Sequence, residues 1–393
     1  MSLTELQRRR LAPVGRAHVA VIVAIAAFII AVVVIEPCWR AATPPFPMPL
    51  SKIRVAAPLD GPFYVQNGLA GFRWTRASPD SLWFHPLLSL GVKGISAVVN
   101  GEIAFWILTL LCGALAVPVL LMLAPELFPQ RWNPWVGLLF LVTPGGLSLG
   151  VGNPEVPTLL FLSVLLLLVL RPTGSIVLIC IVAGLAVLTK PTAMLFVPSL
   201  VVYFIGGTRR RDRGLAVRSA AGIVTLCCTF CLWVLFVGLK SHDPGAYWAA
   251  RRTYQGYVPG DAMHFFVVAR QAVRWQLGTR EAIRFGTALL VPVITLWVAL
   301  AVPVRDRVHR LAFMASVCTL LAYVIGTGNP NKAFLYLLVL PFQPLFYTAF
   351  LTVRAPVGSR GTPLLTIAKV GCLAYCGALA AIFVLGMPRA WFY

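Results

Sequence analysis

Asp60 lies in the stretch Pro58-Leu59-Asp60-Gly61-Pro62-Phe63-Tyr64, an acid followed by Gly-Pro and two aromatic residues. Two readings fit that order. The carboxylate caps a helix whose first turn contains Pro62. Alternatively, at a membrane–water boundary, it removes the proton from a sugar or lipid hydroxyl or holds that hydroxyl in place. Glu155, in the turn Gly152-Asn153-Pro154-Glu155, is divided in the same way. Its charge suits the positive end of the apolar helix that follows, and it is equally a candidate contact for a substrate hydroxyl.

The basic residues supply the complementary chemistry. Where a phosphate departs from a sugar, negative charge builds on it in the transition state and a fixed cation lowers the barrier. Lys190 and Lys332 are isolated cations at expected helix ends, and Arg251, next to Arg252, and His264 stand in one stretch with Arg274. Each lysine also reads as an interfacial side chain that snorkels to water, and His264 as ordinary surface or packing. Tyr247-Trp248, Tyr254 and Tyr257 either stack on a sugar ring or belong to an aromatic interface belt. There is no Walker loop, no dinucleotide fingerprint and no metal-ligand cluster, so neither a metal nor a cofactor is expected. Cys228 and Cys231 form a CxxC inside an apolar run and read as packing residues.

These residues need a scaffold, and composition restricts it. The chain of 393 residues is 59% hydrophobic and 11% charged, with mean hydropathy +0.85, which leaves too little polar surface for a soluble domain. The expected architecture is an all-α polytopic membrane protein, one transmembrane domain over 1–393. Its candidate spans number about eleven, at 18–36, 103–124, 133–150, 155–170, 174–189, 191–206, 218–239, 286–304, 310–327, 333–353 and 364–386. Two of these, 174–189 and 191–206, are short and divided only by Thr189-Lys190-Pro191, so a re-entrant pair is an alternative. Segment 84–100 is amphipathic and expected to lie on the membrane. The run 18–36 continues into Glu36-Pro37-Cys38 and reads as a span, not a cleavable leader.

Orientation follows from the arginine clusters. Arg8-Arg9-Arg10, Arg209-Arg210-Arg211 with Arg213, Arg305 with Arg307 and Arg310, and Arg354 with Arg360 fall on one face, which should be cytoplasmic. The N-terminus is then cytoplasmic. The loops 37–102 and 240–285, the turn at Glu155, the Lys190-Pro191 junction and the turn ending in Lys332 are then external. The net charge of +21 favours anionic lipid or phosphate partners. No basic stripe stands apart from the spans, so nucleic acid is not an expected partner.

The motifs resemble a known family. An early external aspartate, an aromatic-rich amphipathic stretch and an aromatic–Pro–Leu segment look like the GT-C glycosyltransferases, multi-span enzymes that use lipid-phosphate sugars. The likeness is nearest to PIG-V-like mannosyltransferases. Asp, aromatic, Gly-aromatic and Phe-Pro-Leu elements follow there in the order of Asp60, Phe63 and Tyr64, Gly71-Phe72, and His85-Pro86-Leu87 here. This chain has His85 where that family has a second phenylalanine. Thr143-Pro144, Asn153-Pro154-Glu155 and Ala183-Gly184-Leu185 followed by Lys190-Pro191 resemble the family's middle helices, and Lys332 to Tyr336 with Pro341 is a third echo.

The resemblance implies an inverting glycosyltransferase, by kind a mannosyltransferase. Such an enzyme moves a sugar from a polyprenyl-phosphate donor to a lipid-linked or glycan acceptor on the external or lumenal face. It implies Asp60 as the base, Lys332, Lys190, Arg251 and His264 as donor-phosphate groups, and Tyr64, Glu155 and His85 on the substrate side. Partners would be the donor, the acceptor and membrane lipids. Arginine is far commoner than lysine in this chain, which points to a bacterial plasma membrane, although an endoplasmic-reticulum protein with a lumenal site reads almost identically. A lipid or solute transporter is the alternative class, although no internal repeat is visible and the polar candidates sit at span ends instead of mid-span. A non-catalytic membrane assembly subunit is a third.

Overall fold

The computed structural model describes residues 61–72, 82, 84–129, 139–140, 143, 154–255, 267, 270–271, 279–327, 339–352 and 366–374. Among them the regular elements are all helical. In chain order they are α1 (Gly61–Ala70), α2 (Pro86–Ile95), α3 (Gly101–Leu127), α4 (Glu155–Leu170), α5 (Ile176–Thr189), a 3-10 turn (Pro191–Phe196), α6 (Val197–Arg209), α7 (Arg213–Lys240), α8 (Ala246–Gln255), α9 (Thr279–Ala301), α10 (Arg307–Thr327) and α11 (Phe342–Thr352).

Among the described residues, three stretches are long and apolar enough to cross a membrane: Ile103–Leu127, Pro191–Arg209 and Arg213–Lys240. The helices α4 and α5 have 16 and 14 residues. At 1.5 Å per residue they are shorter than a hydrocarbon core of roughly 30 Å. The expected span at 18–36 and most of those at 133–150 and 364–386 lie outside the described residues, and the figure of about eleven stays an expectation.

Two of the boundaries follow from proline. Lys190 precedes Pro191, and a residue before proline is pushed out of the helical region; its backbone is extended (φ −159°, ψ 141°) and α5 stops there. Pro191 then opens the 3-10 turn, where its missing N–H costs nothing. The chain reverses at this junction. Both the start of α5 and the end of α6 lie at the first turns of α7, since Arg218 of α7 bonds the carbonyl of Pro172 and the 209–213 turn joins α6 to α7.

The four helices α4 to α7 pack without a gap around Gly222. A Cβ there would meet Leu200 Cδ1 at 3.0 Å, Leu165 Cδ1 at 3.7 Å and Ile179 Cγ2 at 3.9 Å. A larger residue would wedge three helices apart. A second apolar cluster, containing Tyr64, Phe84, Phe105, Trp233, Val237 and Tyr247, joins α1, α2, α3, α7 and α8.

The bundle thus has two polar ends. At one, Arg305 donates from its backbone to Leu127 O (2.9 Å) and from Nε to Phe128 O (2.9 Å), tying the α9–α10 turn to the end of α3. Arg210 there grips Asp306 with both terminal nitrogens, and Arg171 lies 3.6 Å from Glu126. The arginine clusters 209–213 and 305–310 share this end, as the charge pattern predicts. At the other end stand the start of α4, the Lys190-Pro191 junction, α1, α2 and α8.

Candidate active site

Glu155 is the first residue of α4 and Lys190 closes α5. The two helices run antiparallel, so the positive end of one dipole meets the negative end of the other. A carboxylate at a helix start and an ammonium at a helix end are each favoured by their own helix, and here they are brought face to face. Lys190 Nζ lies 2.5 Å from Glu155 Oε1, with side-chain exposures of 5% and 2%. An ion pair this dry holds only because each charge is compensated.

One turn back along α5 is a second polar contact with a sequence-level cause. In a helix the carbonyl of residue i accepts from the N–H of residue i+4. For Val187 that residue is Pro191, which has no N–H. His85 takes the orphaned carbonyl: its Nδ1–H donates to Val187 O. A carbonyl only accepts, so Nδ1 carries the proton and Nε2 is the acceptor for the hydroxyl of Tyr247, 3.1 Å away. Complete burial lowers the imidazole from its usual 6.5 to about 3, against the opposing pull of the Val187 carbonyl, so His85 is neutral. The last turn of α5 therefore joins the Glu155–Lys190 pair to the His85–Tyr247 pair.

Aromatic rings enclose this junction. His85 has Trp233 at 5.5 Å, Tyr247 at 6.1 Å and Phe230 at 6.3 Å between ring centroids. Phe84 continues the layer to Tyr64, whose ring it meets edge-on at 4.9 Å. The buried hydroxyl of Thr158, one turn along α4 from Glu155, and that of Thr192, beside Lys190, have no hydrogen-bond partner among the described residues. Each is a donor held in reserve next to a buried charge pair. Beside the aromatic layer a groove of about 600 Å³ runs along α7, lined by Phe230, Cys231, Val234, Leu235, Leu239 and Trp248. Cys228 and Cys231 are free thiols on the outward face of α7, not core packing as the sequence suggests.

Four of the expected site residues, Tyr64, His85, Glu155 and Lys190, thus gather at one end of the bundle. Tyr64 and His85 are fully buried. Asp60 lies outside the described residues, immediately before α1, and so do His264 and Lys332. Arg251 belongs to α8 but its side chain is not among those described. Sequence reasoning did not identify the Lys190–Glu155 pairing, the partnership of His85 with Tyr247, or Thr158 and Thr192. Only the first carried a signal, two lone opposite charges at the ends of consecutive apolar helices. No group of three or more metal-type ligands occurs among the described residues.

Most of the site, Tyr64 and Tyr247 excepted, falls inside a recognisable segment. Residues 85–237 match the model of the dolichyl-phosphate-mannose-protein mannosyltransferase family. No curated relative matches the chain. Its structure is similar to the crystal structure of ArnT from Cupriavidus metallidurans bound to undecaprenyl phosphate, with a TM-score of 0.50 and 17% identity over 94% of this chain and 67% of that one. The apo state of the same protein gives a TM-score of 0.49 at 18% identity, with the same coverage. The chain has the GT-C fold, as the sequence resemblance implies.

Proposed function

We propose that this chain is a GT-C glycosyltransferase that takes its sugar from a polyprenyl phosphate, working at the end of the bundle opposite the arginine clusters. The observation that carries the proposal is the meeting of the buried Glu155–Lys190 pair and the neutral His85–Tyr247 pair on one helix turn; of these four residues, Glu155, Lys190 and His85 lie within the segment that matches the mannosyltransferase family. The undecaprenyl phosphate bound to ArnT supports the donor class. The family description supports mannose as the sugar. The apolar groove along α7 has the character a polyprenyl tail needs, and it borders the same aromatic layer.

In the inverting reaction, the acceptor hydroxyl gives its proton to Asp60 as its oxygen attacks the anomeric carbon. The bond from that carbon to the phosphate oxygen breaks, and the phosphate leaves with the electron pair. Lys332, Arg251 and His264 are the groups we assign to that phosphate. Lys190 belongs to the same set, but its ammonium is already matched by Glu155, so it reaches a phosphate only by releasing that carboxylate for a substrate hydroxyl. The acceptor is a lipid-linked or glycan hydroxyl. The loops 37–102 and 240–285 would carry the external parts of the site, on a bacterial plasma membrane with the N-terminus cytoplasmic.

The test is transfer itself. Purified protein incubated with radiolabelled polyprenyl-phosphate mannose and a mixture of lipid acceptors should move label into product and release polyprenyl phosphate. Uptake of label into proteoliposomes without release of polyprenyl phosphate would overturn the enzymatic reading in favour of a transporter.

A further inference from the structure

The arginine-rich end contains a cavity of about 440 Å³ that the proposed transfer does not use. It opens where the ends of α3 and α4, the α6–α7 turn and the α9–α10 turn converge. Its charged lining includes Glu126, Arg210, Asp212, Arg218 and Asp306. Three of these charges are spoken for. Arg210 and Asp306 bind each other with two hydrogen bonds. Glu126, on the rim, has Arg171 beside it.

Arg218 and Asp212 are different. Arg218 is 8% exposed, and it donates Nε to Val169 O (2.9 Å) and Nη1 to Pro172 O (3.3 Å). Both partners are neutral carbonyls, and among the described residues no carboxylate lies within ion-pair distance of it. A buried guanidinium without a counter-charge is costly. Asp212 accepts from Leu215 N (2.9 Å) as the cap of α7 and, among the described residues, has no cationic partner. The two unmatched charges flank one glycine: a Cβ on Gly214 would meet Arg218 Nη1 at 3.0 Å and Asp212 Oδ1 at 3.4 Å. They are neighbours on the cavity wall, yet they do not pair with each other.

One cation and one anion, held apart on the same wall, suit a ligand that carries one charge of each sign at short separation. We infer that this cavity binds the headgroup of an amine-bearing phospholipid, its phosphate toward Arg218 and its ammonium toward Asp212. The position supports a lipid as the carrier. The cavity sits at the ends of three stretches long enough to cross a membrane, and Leu170 and Leu215 give part of its wall an apolar character suited to the glycerol backbone. A phosphate monoanion alone would leave Asp212 unmatched, and a quaternary ammonium has no N–H with which to meet it.

Native mass spectrometry of the full-length protein, delipidated in detergent and then given dioleoyl phosphatidylethanolamine, phosphatidylcholine or phosphatidylglycerol, tests this assignment. The ethanolamine lipid should be retained at least about tenfold more tightly than the other two, which corresponds to about 1.4 kcal/mol. Asp212→Asn keeps the helix cap, because Asn caps as well as Asp, so the variant should melt like the wild type and lose the preference for ethanolamine over glycerol. Arg218→Gln, if it folds, should weaken retention of all three lipids. Equal retention of the three by the wild type, or unchanged selectivity in Asp212→Asn, would overturn the inference. Displacement of the lipid by soluble phosphoethanolamine at equal concentration would overturn the lipid carrier in favour of a free zwitterion.

Discussion

The two polar ends of the bundle each hold a carboxylate–cation pair, and the contrast between them is one of water. Arg210 and Asp306 bind through two hydrogen bonds, with the arginine side chain 52% exposed and the aspartate 23%. Glu155 and Lys190 bind through one contact at 2.5 Å and are almost dry. Coulomb attraction is several-fold stronger where water is excluded, and so is the penalty for losing one partner. A wet pair fastens two loops and is easily replaced. A dry pair must either be complete or be matched by something that arrives, which is what a substrate site requires.

The largest expected effect belongs to Asp60, the proposed base, and does not involve stability. Asp60→Asn keeps size and shape but cannot accept a proton, so transfer should fall by about 100- to 10,000-fold at matched membrane expression. Asp60→Glu should retain only a small activity, because the carboxylate moves by about one methylene. Wild-type transfer by the Asn variant would identify Asp60 as a helix cap and remove it from the mechanism.

Next comes the buried pair. Glu155→Gln or Lys190→Met alone leaves one charge buried without its partner and should cost about 3–5 kcal/mol, read as a lower midpoint in detergent unfolding. The double variant should recover much of that loss. If the single losses simply add, the pair is not coupled and the contrast between the two ends collapses.

A smaller loss is expected at His85. Tyr247→Phe removes the hydroxyl that serves Nε2 and leaves a buried acceptor unmatched, at about 1–3 kcal/mol. Because burial holds His85 neutral with its pKa near 3, its contribution is present above the unfolded value of about 6.5. Stability should therefore decline as pH falls from 6.5 toward 3, and a His85→Phe variant should lack that component in thermal melts.

The smallest effect belongs to the wet pair. Arg210 beside it holds the Asp306 carboxyl down at about 2, so its stabilisation is present above about pH 4 and is lost as pH falls toward 2. Solvent screening limits such a pair to about 0.2–1 kcal/mol. Asp306→Asn should shift the neutral-pH midpoint only slightly and remove part of the acid limb of the stability profile. A loss as large as that of Glu155→Gln would show that exposure does not separate the two ends.

Much of the scaffold could be read from residue order. The apolar runs located α3, α6 and α7, and the arginine clusters correctly grouped the 209–213 and 305–310 turns at one end, since charge at span ends is a local property of the sequence. Pro191 announced the break after Lys190. Helices α4 and α5 are uniformly apolar yet short, with 16 and 14 residues. Apolar composition alone does not separate a buried helix from a spanning one.

The sequence by itself determined the membrane class, the GT-C resemblance, the two-ended charge pattern, and the residue types worth watching. Tertiary structure alone decided their pairings. Lys190 was legible as a lone cation, but whether it faced water or Glu155, 35 residues away, depended on two consecutive helices being antiparallel and adjacent. His85 was legible as an odd residue before a proline. That it would serve a carbonyl orphaned by a different proline 106 positions later could not be seen locally, because a hydrogen bond across 102 residues is fixed by packing and leaves no periodic trace in the chain.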